Sequence, residues 1–213
     1  TPGCQVLIAK QGMVIYNKAF GTLSYDSNQK VTQQTLYDLA SLTKVAATTV
    51  SLMKLYDQEL FSLDATLGTY LPQVQGTNKD TLRMSNILTH QAQLHPWIPF
   101  YQYLIQDFFN PKVRDLKKNK RKGDYTVKIN PNLYLHKNYG FVDSSLSSFK
   151  TDLYSLQIAN NVYMNPAKKD MLYSIIYNSK LIDKKEVVYS DLGFILFADV
   201  IKNLSGKSID TYV

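Results

Sequence analysis

From Ser41 to Asp57 the apolar residues Leu42, Val45, Ala46, Val50, Met53 and Leu55-Tyr56 recur at the spacing of one helix face. Upstream, Gln5 to Lys10 and Met13 to Phe20 are β-rich runs parted by Gln11-Gly12, which predicts an antiparallel hairpin with a two-residue turn. A chain that runs from a hairpin into apolar helices belongs to a mixed α/β class. Further helices are expected over Leu82 to His90, Lys168 to Asn178 and Asp191 to Leu204, the last closed by Gly206. Pro96 to Lys150 reads as irregular and aromatic.

Of the 213 residues, 45% are apolar and 19% charged, a balance that excludes a disordered chain. The length suits one domain, or one domain and a piece of another. No apolar run approaches the roughly 18 residues of a membrane-spanning helix. Cys4 is the only cysteine, which excludes an intrachain disulfide and a cysteine-based zinc site. The chain opens Thr1-Pro2-Gly3-Cys4 without a signal peptide, so a processed or artificial boundary is expected there.

The net charge of +7 is local, because Lys112 to Lys122 holds seven basic residues and one acid, Asp115. The plainer reading is a solvated loop ended by Gly123-Asp124. The alternative is binding of an anion or an anionic surface. No nucleic-acid motif accompanies the run.

A serine three residues before a lysine at the start of a helix makes a compact nucleophile. The two side chains share a face, the helix N-terminus favours a developing alkoxide, and burial lowers the lysine so that it accepts a proton. The pattern occurs four times, at Ser27/Lys30, Ser41/Lys44, Ser51/Lys54 and Ser147/Lys150. Ser27 lies in a polar loop, Ser51 in mid-helix and Ser147 in a serine-rich irregular stretch. Only Ser41 opens a strongly apolar helix, where its plainer role is a helix cap.

The residues around it carry a resemblance. Tyr37-Asp38-Leu39-Ala40-Ser41-Leu42-Thr43-Lys44 resembles the nucleophile segment of the class C β-lactamase-related serine hydrolases, a family that includes DD-peptidases and esterases of the penicillin-binding-protein fold. Phe61-Ser62-Leu63-Asp64, Tyr70-Leu71-Pro72, Thr81 to His90, Tyr189-Ser190-Asp191-Leu192-Gly193-Phe194 and Ser205-Gly206-Lys207-Ser208 resemble its later blocks in order. The likeness spans most of the chain outside Pro96 to Lys150. It implies a β-lactamase/transpeptidase-like α/β (α+β) fold, a helical region beside an antiparallel sheet, with residues 1–213 forming the N-terminal and helical part of one domain and a family-variable insert at about 96–150.

The resemblance also implies roles. Ser41 is the acylated nucleophile, Lys44 its proton acceptor and Tyr189 a second general acid/base. Asp191 stands where the β-lactamases carry Asn. An ionised carboxylate only accepts hydrogen bonds, so recognition of a β-lactam or peptide is weakened and an esterase, or another amide or ester substrate, gains weight. A literal Tyr-x-Asn at Tyr163-Met164-Asn165 competes with Tyr189. The family's histidine at the place of His90 supports the fold and is not the base, and His95 and His136 have no paired acid. For Trp97, Phe100, Tyr101 and Tyr103, packing outweighs a role as a cleft wall.

No metal or organic cofactor is implied. The family's third motif, Lys-Thr-Gly or His-x-Gly, is not met before Val213, so the chain reads as truncated before that motif, with an incomplete sheet. The hairpin edge is then expected to be covered, by a second copy or otherwise. An extracytoplasmic address, periplasmic or cell surface, and fusion to another catalytic domain follow from the family. The rival from another class is a non-catalytic binding or accessory domain that keeps the fold.

Overall fold

The computed structural model describes residues 1–105, 117–118, 123–130, 133–137, 140–184 and 186–213. Most of the basic run Lys112 to Lys122 thus lies outside the described residues. The chain divides into two compact units, Thr1–Thr43 and Lys44–Val213.

In the first unit β1 (Gly3–Lys10) pairs antiparallel with β2 (Met13–Gly21). Gln11 and Gly12 have φ of 50° and 77°, the left-handed pair that a tight hairpin turn needs. The register shifts between Ile8 and Ala9, where a bulge twists the ribbon. Among the described residues no third strand joins either edge. Most of the apolar side chains are exposed, Leu7 at 60% and Ile15 at 62%. The segment after β2 folds back on the hairpin, where the Gln5 side-chain amide donates to the carbonyls of Thr32 at 2.7 Å and Thr35 at 2.8 Å.

The second unit is built on helices. A π-helical turn, Lys44–Thr49, runs into α1 (Val50–Asp57). The expected single helix from Ser41 is therefore two kinds of helix, with Ser41 in the turn before them. The Thr49 hydroxyl donates to the Lys44 carbonyl at 2.8 Å across the widened turn. Short helices α2 (Leu67–Tyr70), α3 (Met84–Leu88) and α4 (Tyr101–Leu104) follow. Then come α5 (Pro166–Asn178), α6 (Leu192–Ser205) and α7 (Ile209–Tyr212). Asn165 caps α5, its Oδ1 accepting the Ala167 N–H at 3.0 Å, and Pro166 takes the first position, where no N–H is needed. Gly206, at φ 72°, ends α6 as expected.

The stretch expected to be irregular holds strands. β3 (Lys117–Lys118), β4 (Tyr125–Asn130) and β5 (Leu133–His136) form an antiparallel sheet in the order β3-β5-β4. β6 (Leu146–Ser147), also in that stretch, joins β7 (Leu156–Ala159) and β8 (Val162–Met164), which lie beyond it, in another sheet of order β6-β8-β7.

The core of this unit gathers Leu52 and Leu55 of α1, Met84 and Ile87 of α3, Ile176 of α5, and Leu192, Leu196, Phe197, Val200 and Ile201 of α6. Each such side chain contributes about 2 kcal/mol by leaving water. Gly193 permits the close approach of α6 to α3, since a Cβ there would meet Ile87 Cγ2 at 2.4 Å. Lys79 is buried at 0% exposure, donating to Asn78 Oδ1 at 2.7 Å and to the Ser179 carbonyl beyond the end of α5. Burial lowers its amine to about 8. Outside the core, Val50, Met53 and Tyr56 of α1 line an apolar groove of about 610 Å³ with Phe61, Leu63 and Leu88.

Candidate active site

Ser41 is exposed and sits in a tight turn of the first unit. Asp38 Oδ1 accepts the Ala40 N–H at 2.8 Å, and the carbonyls of Leu39 and Ala40 accept the N–H groups of Leu42 at 2.9 Å and Thr43 at 3.1 Å. Ala40 has φ 43°, a left-handed backbone that a side-chain-bearing residue rarely adopts and that is held here by these bonds. Lys44 follows three residues later in the chain, at the head of the π-helical turn.

The second unit brings Lys44, Tyr189 and Asp191 together. The Lys44 Nζ lies 2.6 Å from Asp191 Oδ1, 4.9 Å from the centre of the Tyr189 ring and 5.8 Å from that of Phe194. The Lys44 side chain is mostly buried, while the Asp191 side chain is half exposed. Tyr189 is 50% exposed, so it is not a core tyrosine.

Burial pushes the Lys44 amine down, but the hydrogen bonds and charges of Asp191 and Tyr189 more than offset it, and the amine ends above its ordinary value. The sequence reading has burial lower this amine; here Asp191 and Tyr189 act against it. The cause is Asp191, a carboxylate that approaches from 147 residues along the chain and that spacing alone does not place beside Lys44.

The 188–191 segment is fixed by the loop after α3. The Val188 N–H donates to the His90 carbonyl at 2.9 Å, and the Ser190 N–H donates to His90 Nδ1 at 3.1 Å. Ser190 is buried. Its hydroxyl donates to the His95 carbonyl at 2.6 Å and accepts the Leu192 N–H at 3.2 Å. The Asp191 N–H donates to the Pro96 carbonyl at 2.8 Å. The His90 ring stands 4.5 Å from that of Tyr189 and 5.4 Å from that of Phe194. The resemblance implied a fold-supporting role for His90, which these bonds make specific, whereas Ser190 was passed over, because a residue that acts on the backbone leaves no acid–base pair to find.

The competing pairs have other engagements. Ser27 Oγ accepts the Gln29 N–H at 3.0 Å, and Ser147 Oγ accepts the Phe149 N–H at 3.0 Å. Ser51 is buried within α1, and Lys54 lies over the Tyr212 ring at 4.6 Å. Tyr163 is on β8, and Asn165 is the cap of α5. Of the aromatic residues after the α3 loop, Phe100 packs on the core, whereas Trp97 is 59% exposed, against the expectation of packing. Trp97 borders a cavity of about 460 Å³ with His95, Ile98, Pro99 and Tyr103.

Residues 1–120 match the family model described as Beta-lactamase. A protein of Escherichia coli K12 named "Putative D-alanyl-D-alanine carboxypeptidase" is 35% identical over 101 residues, 44% of this chain and 23% of its own length. The N-acetylmuramyl-L-alanine amidase of Bacillus subtilis is 29% identical over 113 residues, 47% of this chain and 26% of its own. Among solved structures, a class C beta lactamase from Rhodobacter sphaeroides superposes with a TM-score of 0.55 at 17% identity, covering 99% of this chain and 42% of that one. EstCE1, a hydrolase with promiscuous acyltransferase activity, superposes with 0.55 at 19%, covering 99% and 44%. These likenesses establish the shared fold. The matches span about a quarter of the curated relatives' length and less than half of the solved chains.

Proposed function

The chain belongs to the beta-lactamase family, and on that premise we propose that it carries the nucleophile and proton-transfer groups of a serine hydrolase that works through an acyl-enzyme. Ser41 Oγ attacks the carbonyl carbon of an ester, amide or β-lactam-like substrate. The serine proton passes to the leaving group by way of Tyr189, and water then releases the acyl group.

The observation that carries this reading is the meeting of Lys44, Tyr189 and Asp191, with 2.6 Å between amine and carboxylate. For Ser41 the support is the motif, three residues before Lys44. The raised amine favours a different division of roles from the one the resemblance implies. Lys44 is an ammonium near neutral pH, so it stabilises negative charge on its neighbours, and Tyr189 carries the proton. Asp191 is engaged with Lys44 and offers a substrate no hydrogen-bond donor. That favours ester substrates over peptide amides.

The same reading takes residues 1–213 as the N-terminal and helical part of one domain, with a variable insert at about 96–150 and the hairpin edge covered by a second copy or another segment. It places the protein outside the cytoplasm, at the periplasm or cell surface. No helix among the described residues is long and apolar enough to cross a membrane.

A second reading, a binding domain that keeps the fold, is favoured by the raised amine of Lys44, which makes it a poorer proton acceptor. A fluorescent serine-acylating probe separates the two. Catalysis predicts that the probe labels the protein, and that Ser41→Ala abolishes the label. Labelling that persists in Ser41→Ala removes the nucleophile from the proposal, and an unlabelled wild type supports the binding domain.

A further inference from the structure

We propose that His90 is a positioning residue that holds Tyr189 in place only while its imidazole is neutral, so that acid disengages the Lys44–Tyr189–Asp191 cluster. This rests on the reading of Tyr189 as the proton carrier and adds a form of regulation to that site.

The geometry begins with a backbone bond. The Ser190 N–H points at His90 Nδ1 from 3.1 Å. A ring nitrogen that accepts a hydrogen bond carries no proton, so the neutral ring must hold its proton on Nε2. On the other side of Tyr189, the Val188 N–H is held by the carbonyl of the same histidine at 2.9 Å. One residue thus grips the chain immediately before and after Tyr189, while its ring lies against the phenol ring at 4.5 Å. His90 does this from a left-handed backbone at φ 59°, which ordinary side chains avoid.

Protonation of Nδ1 sets two N–H groups against each other. The bond to Ser190 is lost, and the N–H of a buried residue is left without its acceptor. The charged and titratable groups around the ring are Lys44 from the π-helical turn, and Tyr189 and Asp191 from the segment it grips; Phe194 of α6 adds an apolar wall. Burial and the Lys44 ammonium hold His90 below its ordinary 6.5, and Asp191 partly opposes them. A base held below its ordinary value keeps its bonds at high pH and loses them as the pH falls through the lowered value. The grip is therefore whole while the ring is neutral and is released in acid, as the pH falls below the ordinary 6.5.

Two measurements test this on the full chain. In ¹⁵N spectra the His90 ring is expected as the Nε2–H form above about pH 7, with the Ser190 amide shifting in step as the ring titrates. A Nδ1–H form, or a Ser190 amide indifferent to the titration, overturns the proposal whether or not the protein is an enzyme. The second measurement follows the rate of Ser41 labelling against pH. The wild type is expected to show an acid limb. His90→Ala is expected to lose about a hundredfold where the wild-type ring is neutral, the cost of a misplaced catalytic group, and to converge on the wild type in acid, where the grip is already released. His90→Asn supplies a side-chain oxygen to the Ser190 N–H, tolerates the left-handed backbone and does not titrate there. It is expected to recover most of the rate and to abolish the acid limb. An acid limb that persists in His90→Asn overturns the switch. A wild type that never labels sinks the hydrolase reading alone and leaves the spectra to decide the grip.

Discussion

The hairpin and the helical core follow opposite rules of construction. In β1 and β2 the strand partners are set by a two-residue turn and lie within 18 residues of one another in sequence, yet Ile15 remains 62% exposed. In the core, Phe197 is fully buried among residues from α1, α3 and α5 that are up to about 145 positions away in the chain. Local hydrogen bonding shapes the first region without much burial, whereas distant apolar contacts stabilise the second. The contrast ranks the cost of damage.

The largest effect is expected in the core. Phe197→Ala removes a fully buried ring that meets Phe194 edge-on at 5.5 Å, and it should lower stability by about 3–5 kcal/mol in urea unfolding. A loss no greater than that of a surface change would mean that α6 does not organise this unit. Gly193→Ala forces a methyl toward Ile87 Cγ2 at 2.4 Å. The expected cost is about 1–3 kcal/mol, and relief by Ile87→Val would confirm that the two helices press together there.

Lys79 adds a smaller, pH-dependent effect. Its folded value of about 8 lies below the ordinary 10.5. Between those values the unfolded chain binds more protons, so stability rises with pH across that window and the gain fades as the pH falls through about 8. The urea midpoint of wild type relative to Lys79→Met should climb over the same range. A flat difference would place the amine in contact with water. Least of all, Ile15→Ser on the exposed face of β2 should shift stability by less than about 0.5 kcal/mol. A loss as large as that of Phe197→Ala would show that the hairpin face is covered in solution.

Legibility in the sequence follows the same division. Gln11-Gly12 announces its turn because the required backbone angles belong to those two residues. Gly206 announces the end of α6 for the same reason. The strands β4 and β5 went unread, since they are short and interrupted by bulges that break the alternation of inward and outward residues. Of the site, the blocks holding Lys44 and Tyr189 were visible as ordered motifs. The charge on Lys44 was not, because it depends on a carboxylate delivered by the far end of the chain. For His90 the resemblance implied support of the fold, but not the partner, because accepting from a backbone N–H gives a histidine no tell-tale neighbour in sequence.

The widened turn at Lys44–Thr49 has a directional consequence. Each residue of an ordinary helix advances the bearing of its side chain by about 100°. A turn that closes on the fifth residue rather than the fourth takes in one more position, so the bearings before and after it fall out of phase by about that angle. Lys44 can therefore aim at Asp191 while Leu52 and Leu55, farther along the same rod, aim at the core. Straightening the turn by removal of one residue would swing either the amine or the leucines off target, which makes the length of this stretch as consequential as its composition.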